Sequence, residues 1–309
     1  MKYIITGGAG FIGSHLAEKL LKDNDVIIVD DLSSGYLENI KHLKTVIILE
    51  KKIQDCHLDE ILGNIDGIFH LAAQTSVPRS IDEFYSSSSN NLLSTIKIFD
   101  LAQKNGIPVV YASSSAIYGN LMEGDDRSNK YDILSPYAQD KLTMEHYAKM
   151  AHDVYGIPSV GFRFFNVYGP RQDPSSLYSG VISIFVDRIL KQQPVQINGG
   201  YQTRDFVYVK DVCEVMIKAM TKLQNDSFCS VLNVGTGISC TIDDLLLTIQ
   251  QIMNATPEVI RKNLPKGDPE RSSGNYEKLE KFLQTDLSPF IALNEGLRET
   301  ISYIIKAKV

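Results

Sequence analysis

Short apolar runs alternate along the first half of the chain with longer stretches in which apolar residues recur at helical spacing. These runs predict buried strands that begin at Tyr3, Val26, Val46, Gly67 and Pro108. The stretches between them predict a helix from Ser14 and further helices over 91–104 and 137–153. Strands that alternate with helices indicate parallel strands joined by crossover helices, so the expected fold class is α/β with a doubly wound parallel sheet.

The turn between the first strand and the first helix carries evenly spaced glycines. Gly7 permits a tight turn, Gly10 lets the backbone approach a pyrophosphate, and Gly13 lets the helix pack close to the strand. This order is typical of the dinucleotide-binding Rossmann fold, in which the diphosphate lies at the positive end of the helix dipole. The second strand ends in Asp30 and Asp31. An acidic residue there accepts hydrogen bonds from an adenosine ribose and repels a 2′-phosphate, which favours NAD over NADP as the cofactor.

The composition changes beyond residue 166, where glycine, proline and serine become frequent and shorter predicted elements follow. We therefore expect an NAD-binding Rossmann domain over residues 1–165, to which 205–225 return. A smaller C-terminal substrate-binding lobe is expected over 166–204 and 226–309. The ligand is expected at the carboxyl ends of the strands.

Composition and charge narrow the function classes. A chain of 309 residues with 43% hydrophobic content can bury a sizeable core, and its net charge of −6 argues against nucleic acid as a partner. No apolar run approaches the ~20 residues of a membrane span, and the N-terminus does not resemble a signal peptide, so we expect a cytoplasmic protein with no membrane partner. The histidines show no metal-binding spacing, so no metal site is expected. The cysteines form no C-x-x-C pair and are interpreted as reduced core thiols: Cys56, Cys213, Cys229 and Cys240.

Tyr137 and Lys141 lie four residues apart and therefore share one face of a helix that begins at Ser135-Pro136. By itself this spacing is common on protein surfaces. Here it follows a serine-rich strand end at 113–115 within a repeated strand-helix pattern, which favours a catalytic interpretation.

Seven motifs occur together in the order of one enzyme family: TGGAGFIGSH at 6–15, HLAAQTSV at 70–77, SSSAIYG at 113–119, SPYAQDK at 135–141, RFFNVYGPRQDP at 163–174, TRDFVYVKDV at 203–212 and NVGTG at 233–237. Most are weak signals singly, but the ordered set is specific. Over almost its whole length the chain resembles the extended short-chain dehydrogenase/reductase family, and within it the nucleotide-sugar 4-epimerases of UDP-glucose and UDP-N-acetylglucosamine. The resemblance implies an NAD-dependent isomerase that inverts C4 of a UDP-hexose through a transient 4-keto sugar.

The resemblance also implies site residues. The catalytic set is Ser114, Tyr137 and Lys141, with Ser113 or Ser115 in place of Ser114 if the register differs. The cofactor-binding set is Gly7, Gly10, Phe11, Ile12, Gly13, Asp30, Asp31, Ile53, Leu71, Ala72, Ala73, Gln74, Asn91, Tyr137, Lys141 and Phe164. The substrate-binding set is Ser76, Ser114, Tyr137, Asn166, Gly180, Val181, Asn198, Arg204, Asp268 and Ser272.

Three of the implied substrate contacts have specific roles. Arg204 is expected at the diphosphate, Asp268 at the nucleoside, and Ser272 beside the C2 substituent of the sugar. In the family, a small residue at the last of these positions tends to admit an N-acetyl group.

The sequence departs from the family pattern at three positions. Lys52 stands where many relatives have an aspartate near the adenine, and Gln74 replaces a lysine that some epimerases carry. Pro265 occupies the place of an arginine for the diphosphate, for which Lys266 and Arg271 are alternative substitutes.

Other functions remain alternatives. Dehydratases of the superfamily carry an Asp-Glu pair after the catalytic hydroxyl residue, and UDP-glucuronate decarboxylases usually keep the Glu. This chain has Ser115 and Ala116 there, which transfer no proton at neutral pH, and this favours the epimerase. A non-catalytic NAD-binding protein is a further alternative, although the intact catalytic set argues against it. Relatives commonly dimerise through the helices that match 91–104 and 137–153, so a homodimer is expected.

In the implied mechanism, Tyr137 takes the proton of a sugar hydroxyl while Ser114 holds its oxygen. The tyrosine pKa then has to fall from near 10 to roughly 7, which requires about 4 kcal/mol at 1.36 kcal/mol per unit. Lys141 and the positive nicotinamide ring are expected to supply this free energy.

Overall fold

The computed structural model describes residues 1–56, 65–174, 180–265, 269–288 and 290–307. The chain divides into two compact units. The first comprises Met1–Ile117, Ile133–Arg163 and Cys213–Leu232, and the second comprises Tyr118–Asp132, Phe164–Val212 and Asn233–Val309. That the first unit binds cofactor and the second binds substrate stays a prediction.

The strands of the described residues are β1 (Lys2–Thr6), β2 (Asp25–Asp30), β3 (Ile47–Glu50), β4 (Gly67–His70), β5 (Val109–Ser114), β6 (Ser159–Phe164), β7 (Asn166–Tyr168), β8 (Val195–Asn198), β9 (Thr203–Tyr208), β10 (Cys229–Val234), β11 (Ser239–Thr241), β12 (Val259–Lys262) and β13 (Arg271–Ser272). The α-helices are α1 (Phe11–Leu20), α2 (Val77–Asp82), α3 (Phe84–Asn105), α4 (Pro136–Tyr155), α5 (Val181–Leu190), α6 (Val209–Asn225), α7 (Ile242–Met253), α8 (Glu277–Leu283) and α9 (Leu293–Lys306).

The first unit is built on a seven-stranded sheet in the order β10-β6-β5-β4-β1-β2-β3. β1 pairs in parallel with β2 and β4, β2 with β3, and β4 with β5. The strand order reverses between β1 and β4, which is where a doubly wound sheet places its ligand crevice. The predicted α/β fold with a parallel Rossmann sheet is confirmed.

The apolar runs become strands of this kind because helices cover both faces of the sheet. Ile4, Ile5, Ile28, Phe69 and Val110 are all fully buried. A parallel sheet buried on both faces needs nearly continuous apolar runs rather than alternation.

In the second unit β9 is the central strand of a small mixed sheet. β11 pairs with it antiparallel, whereas β7 and β13 pair with it in parallel. β8 and β12 form a separate parallel pair. Helices α5, α7 and α9 pack on one another through buried side chains such as Phe185, Leu245 and Leu297.

Two expectations about local structure need correction. α3 begins at Phe84 rather than near Asn91, because the serines at 86–89 continue the helix: Ser86 donates its hydroxyl to the Glu83 carbonyl oxygen (3.2 Å) one turn earlier. None of the four cysteines forms a disulfide in the described structure, but only Cys56 and Cys213 are buried in the core. Cys229 and Cys240 are partly exposed.

The helices that the structure describes include none with the length and apolar character of a membrane span.

Candidate active site

The glycine turn after β1 leaves the N-terminus of α1 suited to bind an anion. Gly7 has a φ of +69°, and a Cβ there would lie 2.8 Å from the backbone nitrogen of Ala72. A Cβ at Gly13 would collide with the Gly7 carbonyl oxygen. Gly10 is the N-cap of α1 and has no side-chain acceptor for the N–H groups of the first turn, which includes Phe11, Ile12 and Gly13. This cradle fits a diphosphate.

Asp30, the last residue of β2, ties that strand to the glycine turn. Its carboxylate oxygens accept hydrogen bonds from the N–H groups of Ala9 and Leu32, both at 2.9 Å. Burial raises the pKa of this carboxyl, and the two backbone hydrogen bonds act against that rise. Because each oxygen has a second lone pair, the carboxylate can also accept from ribose hydroxyls. The neighbouring Asp31 accepts from the backbone and the hydroxyl of Ser33.

The structure brings the three predicted catalytic side chains together. Ser114 ends β5, and its side chain is hydrogen-bonded to Tyr137 in the first turn of α4. The Lys141 Nζ donates to the Ala112 carbonyl oxygen at 2.7 Å and lies 5.7 Å from the centre of the Tyr137 ring. Helix α4 carries Tyr137 and Lys141 and begins where the sequence predicted, after Ser135. The Ser135 hydroxyl caps the helix by accepting from the Ala138 N–H at 3.2 Å.

In the protein without a bound cofactor, burial has the largest effect on the pKa of Tyr137. Burial raises its pKa, the hydrogen bond with Ser114 lowers it, and the Asp140 carboxylate raises it. Burial also lowers the pKa of Lys141 to about 8, against the effects of nearby carboxylates. The protein alone therefore favours the neutral phenol at position 137.

A chain of hydrogen bonds passes through His70 at the end of β4. The Thr95 hydroxyl donates to the Asn91 carbonyl oxygen (2.8 Å), so its own oxygen accepts from His70 Nε2 (3.1 Å). His70 Nδ1 then accepts from the Thr6 hydroxyl at 2.8 Å. The chain therefore assigns a neutral imidazole with its proton on Nε2.

This histidine supports the loop that faces the glycine turn. The Thr6 oxygen accepts from the N–H groups of Leu71 and Ala72, both at 3.1 Å. Burial, together with the charge of Lys141, lowers the pKa of His70 to about 3. A buried neutral imidazole thus fixes residues that the sequence predicted to contact the cofactor.

Asn91 is fully buried on α3 and holds the same loop further along. Its Oδ1 accepts from the Gln74 N–H (2.8 Å), and its Nδ2 donates to the Gln74 carbonyl oxygen (3.2 Å) and to the Asp140 carboxylate (3.1 Å). The Ser76 hydroxyl caps α2 by accepting from the Arg79 N–H at 3.1 Å. In this structure the side chains of Asn91 and Ser76 make hydrogen bonds to the backbone of the loop and of the helix that follows it.

Sequence reasoning missed His70, Asp140 and Glu145 as parts of the site. The last two are charged residues on α4 that are nevertheless buried. Glu145 lies four residues beyond Lys141 and so shares its helix face, but this spacing does not indicate that either carboxylate is buried.

In the second unit, three predicted substrate residues lie on neighbouring strands. Arg204 lies on β9, with Ser272 of β13 opposite it in the register, and Asn166 begins β7, which also pairs with β9. The Arg204 Nη1 donates to the Pro269 carbonyl oxygen at 2.8 Å, and the Asn166 Nδ2 donates to the Asp205 carbonyl oxygen at 3.0 Å.

The Asp205 carboxylate holds the loop that carries the NVGTG motif at 233–237. Its carboxylate accepts from the N–H groups of Thr236 (2.9 Å) and Gly237 (2.9 Å), from the Thr236 hydroxyl (2.7 Å) and from the Tyr276 hydroxyl (2.6 Å). A buried carboxylate on β9 therefore holds the loop that this motif forms.

The remaining predicted residues occupy separate places. Ile53 is buried at the start of a short 3₁₀ helix (Ile53–Asp55), Phe164 ends β6, Gly180 is the N-cap of α5 with Val181 as its first residue, and Asn198 ends β8. Asp268 lies outside the described residues, as does Lys266, whereas Arg271 is exposed on β13. No cluster of metal-binding side chains occurs within the described ranges.

Comparisons with known proteins identify the family of this chain. The model of the NAD dependent epimerase/dehydratase family matches residues 3–235. The structure of UDP-N-acetylglucosamine 4-epimerase from Methanobrevibacter ruminantium M1, in complex with UDP-N-acetylmuramic acid, is 36% identical with a TM-score of 0.92, over 99% of this chain and 98% of that one. The structure of UDP-glucose 4-epimerase from Thermotoga maritima with UDP-glucose is 34% identical with a TM-score of 0.92, over 100% of both chains.

Curated relatives carry two kinds of name. A putative UDP-glucose 4-epimerase of Methanocaldococcus jannaschii is 36% identical over 97% of both chains. A UDP-N-acetyl-alpha-D-glucosaminuronate decarboxylase of Bacillus cytotoxicus is 32% identical over 97% of this chain and 96% of its own. The chain therefore belongs to the NAD dependent epimerase/dehydratase family, as its motifs predicted.

Proposed function

We propose that the protein is an NAD-dependent nucleotide-sugar 4-epimerase, an isomerase that inverts C4 of a UDP-hexose. The observation that carries this proposal is the hydrogen-bonded Ser114–Tyr137 pair with Lys141 beside it, at the carboxyl end of β5 in a chain of this family. The relatives named as 4-epimerases support the same reaction.

Each residue has a distinct task in this reaction. Tyr137 accepts the proton of the sugar C4 hydroxyl and later returns it, while Ser114 holds the reacting oxygen. The first-turn N–H groups of α1 hold the cofactor diphosphate, and Asp30 holds the adenosine ribose and repels a 2′-phosphate. Bound NAD supplies a hydride acceptor and a positive ring. That charge is needed here, because burial in the protein alone keeps Tyr137 protonated.

Decarboxylation of a UDP-uronic acid is the second candidate, because the relatives include proteins named as such decarboxylases. Decarboxylation also starts from oxidation at C4, so the same three catalytic residues serve it. The 3₁₀ helix Ser115–Tyr118 after β5 begins with Ser115 and Ala116. Neither is an acid or a base at neutral pH, which favours epimerisation.

The proposed substrates are UDP-N-acetylglucosamine and UDP-N-acetylgalactosamine, alone or together with UDP-glucose and UDP-galactose. Ser272 supports the acetylated pair, since a small side chain leaves room for an acetamide. Its place opposite Arg204 in the register of β9 and β13 puts it on the strand beside the proposed diphosphate contact.

We also propose a homodimer. α3 exposes Tyr85 (87%) and Leu93 (53%), and α4 exposes Met150 (41%) and Val154 (63%). Apolar side chains on two neighbouring helices are typical of a surface that a second copy covers. Light scattering should report twice the mass of the chain.

A proton NMR time course tests the activity. Purified protein is incubated separately with UDP-glucose, UDP-N-acetylglucosamine and UDP-glucuronate, and Tyr137→Phe serves as the matched control. Appearance of the C4 epimer in either of the first two arms supports the proposal. Loss of the carboxylate as carbon dioxide in the third arm indicates a decarboxylase. Absence of any product, from protein that retains NAD, would contradict an enzymatic function.

A further inference from the structure

Glu145 forms a buried ion pair on the helix of the proposed catalytic residues. It lies one turn beyond Lys141 on α4, and its partner is Arg163 on β6. The Arg163 Nε donates to Glu145 Oε1 at 2.9 Å, and Nη2 donates to Oε2 at 2.6 Å. The Glu145 side chain is 5% exposed and the Arg163 side chain is 4% exposed, so water screens the charges of this pair very little.

The same carboxylate has a third partner on the strand of the catalytic serine. Ser113 donates its hydroxyl to Glu145 Oε1 at 2.5 Å. Ser113 precedes Ser114 directly, and Ser114 is hydrogen-bonded to Tyr137. Glu145 therefore joins β5, α4 and β6 one residue away from the proposed reacting groups.

Stability alone is a weak reason for such an arrangement. Desolvating two charges costs nearly as much as their attraction returns, and packed apolar residues of similar size often serve stability equally well. What a bidentate ion pair provides is fixed geometry. The Ser113 hydroxyl consequently meets an acceptor whose own position is set by Arg163.

We propose that Glu145 is a positioning residue: held by Arg163, it anchors Ser113 and thereby sets the place of Ser114 against Tyr137. This proposal rests on the proposed function, because its activity assay measures epimerisation. The sequence left Ser113 open as an alternative catalytic hydroxyl. In this proposal its hydroxyl instead forms the anchor, which is the hydrogen bond to Glu145.

The hydrogen bond between Ser114 and Tyr137 offers a readout that a purely structural role would not move. That bond lowers the pKa of Tyr137 against the larger effect of burial. If the anchor is lost and the bond loosens, the pKa rises, and the acid limb of the kcat profile moves to higher pH. The charged groups near Tyr137 are Asp140 and Lys141 on its own helix. Those near Glu145 are Arg163 and Lys141, with the phenol of Tyr111 on β5.

Three variants separate the effects. Ser113→Ala removes the anchor bond and keeps the ion pair intact. Glu145→Gln removes the charge that binds Arg163 and leaves Ser113 only a neutral amide acceptor. Ser113→Ala keeps the test decisive if Glu145→Gln fails to fold. Ser159→Ala is the matched control, because its buried hydroxyl lies at the other end of β6 and donates to Cys229 Sγ at 3.4 Å.

For Ser113→Ala we expect kcat to fall about tenfold, with KM within about twofold, because a small misplacement of a catalytic group costs rate rather than binding. The acid limb of its kcat profile should move to higher pH. Ser159→Ala should keep the kcat and the profile of the unsubstituted protein. A fall in melting temperature in Ser113→Ala and Glu145→Gln, with neither kcat nor the acid limb changed, would overturn the proposal.

An absorbance titration gives a second readout that needs no substrate. The tyrosinate signal of Tyr137 is taken as the difference between each protein and its Tyr137→Phe counterpart. Its midpoint should rise in Ser113→Ala and stay unchanged in Ser159→Ala. If the unsubstituted protein epimerises none of the tested sugars, the proposed function fails, while this titration still decides whether the anchor exists; an unmoved midpoint overturns it.

Discussion

Acidification is expected to destabilise the protein through His70. Its side chain is 1% exposed, and burial, with the charge of Lys141, lowers its pKa from the ordinary 6.5 to about 3. Below about pH 6.5 the unfolded chain binds a proton at this imidazole, whereas the folded chain binds it only near pH 3. The unfolded state then holds more protons, so the free energy of unfolding falls as the pH falls.

The size of the effect follows from the two pKa values of His70. At about 1.36 kcal/mol per unit, lowering the pH from 6.5 to 5 removes about 2 kcal/mol. The whole interval down to about pH 3 removes about 4 kcal/mol. The first figure is a large part of the 5–15 kcal/mol that is typical of a folded domain.

The measurement compares the unsubstituted protein with His70→Gln. Glutamine keeps an amide donor and a carbonyl acceptor for Thr95 and Thr6 but has no proton to gain. Urea unfolding is followed by far-UV circular dichroism, since the chain has no tryptophan, at several values between about pH 7.5 and 5. His146→Gln, at an exposed position of α4, controls for the loss of one imidazole.

The quantity that decides is the difference in free energy of unfolding between the unsubstituted protein and His70→Gln. It should shrink by about 2 kcal/mol between pH 6.5 and 5. A difference that stays constant over this range would refute the assignment of a buried neutral imidazole at position 70, and with it the direction of the hydrogen bonds through Thr6 and Thr95.

Three further predictions concern the reaction. Tyr137→Phe should lower turnover by at least ~10²-fold with little change in substrate affinity, because it removes the proposed base; steady-state kinetics with near-native turnover would show that the base lies elsewhere. Ser272→Tyr should reduce kcat/KM for the acetylated UDP-sugars far more than for UDP-glucose and UDP-galactose, because a phenol ring fills the space of an acetamide. Equal losses on both classes would remove Ser272 as the gate. Protein denatured directly after purification should release NAD, and chromatographic detection of NADP instead would contradict the role of Asp30.

The sheet was predictable from the sequence because burial on both faces gives a strong signal. Runs such as Val26–Val29 favour buried strands, and the glycine turn after β1 predicts where a diphosphate would bind. Element ends were less predictable. The predicted helix over 91–104 begins earlier, at Phe84, because the serines before it continue the helix and the Ser86 hydroxyl donates to the Glu83 carbonyl oxygen of the preceding turn.

The polar groups behind the site were not predictable in the same way. A charged residue on a helix is normally exposed, so Asp140 and Glu145 carry no sign in the sequence that they are buried. Their burial depends on partners from other elements of the fold. Asp140 is hydrogen-bonded to Asn91, which lies 49 residues earlier, and Glu145 is paired with Arg163 on β6. Only the tertiary arrangement supplies those partners.

The ionisation of Tyr137 shows why this distinction matters for function. From the sequence, a lysine four residues away predicts a lowered tyrosine pKa, because spacing on a helix suggests proximity and proximity suggests charge stabilisation. In the structure the Lys141 Nζ is bound to the Ala112 carbonyl oxygen, and burial dominates the phenol. In the proposed reaction, a base that stays protonated in the protein alone becomes active only when a bound ligand adds positive charge. The proposal therefore couples proton abstraction to the presence of oxidised cofactor, and protein without cofactor should leave the sugar hydroxyl intact.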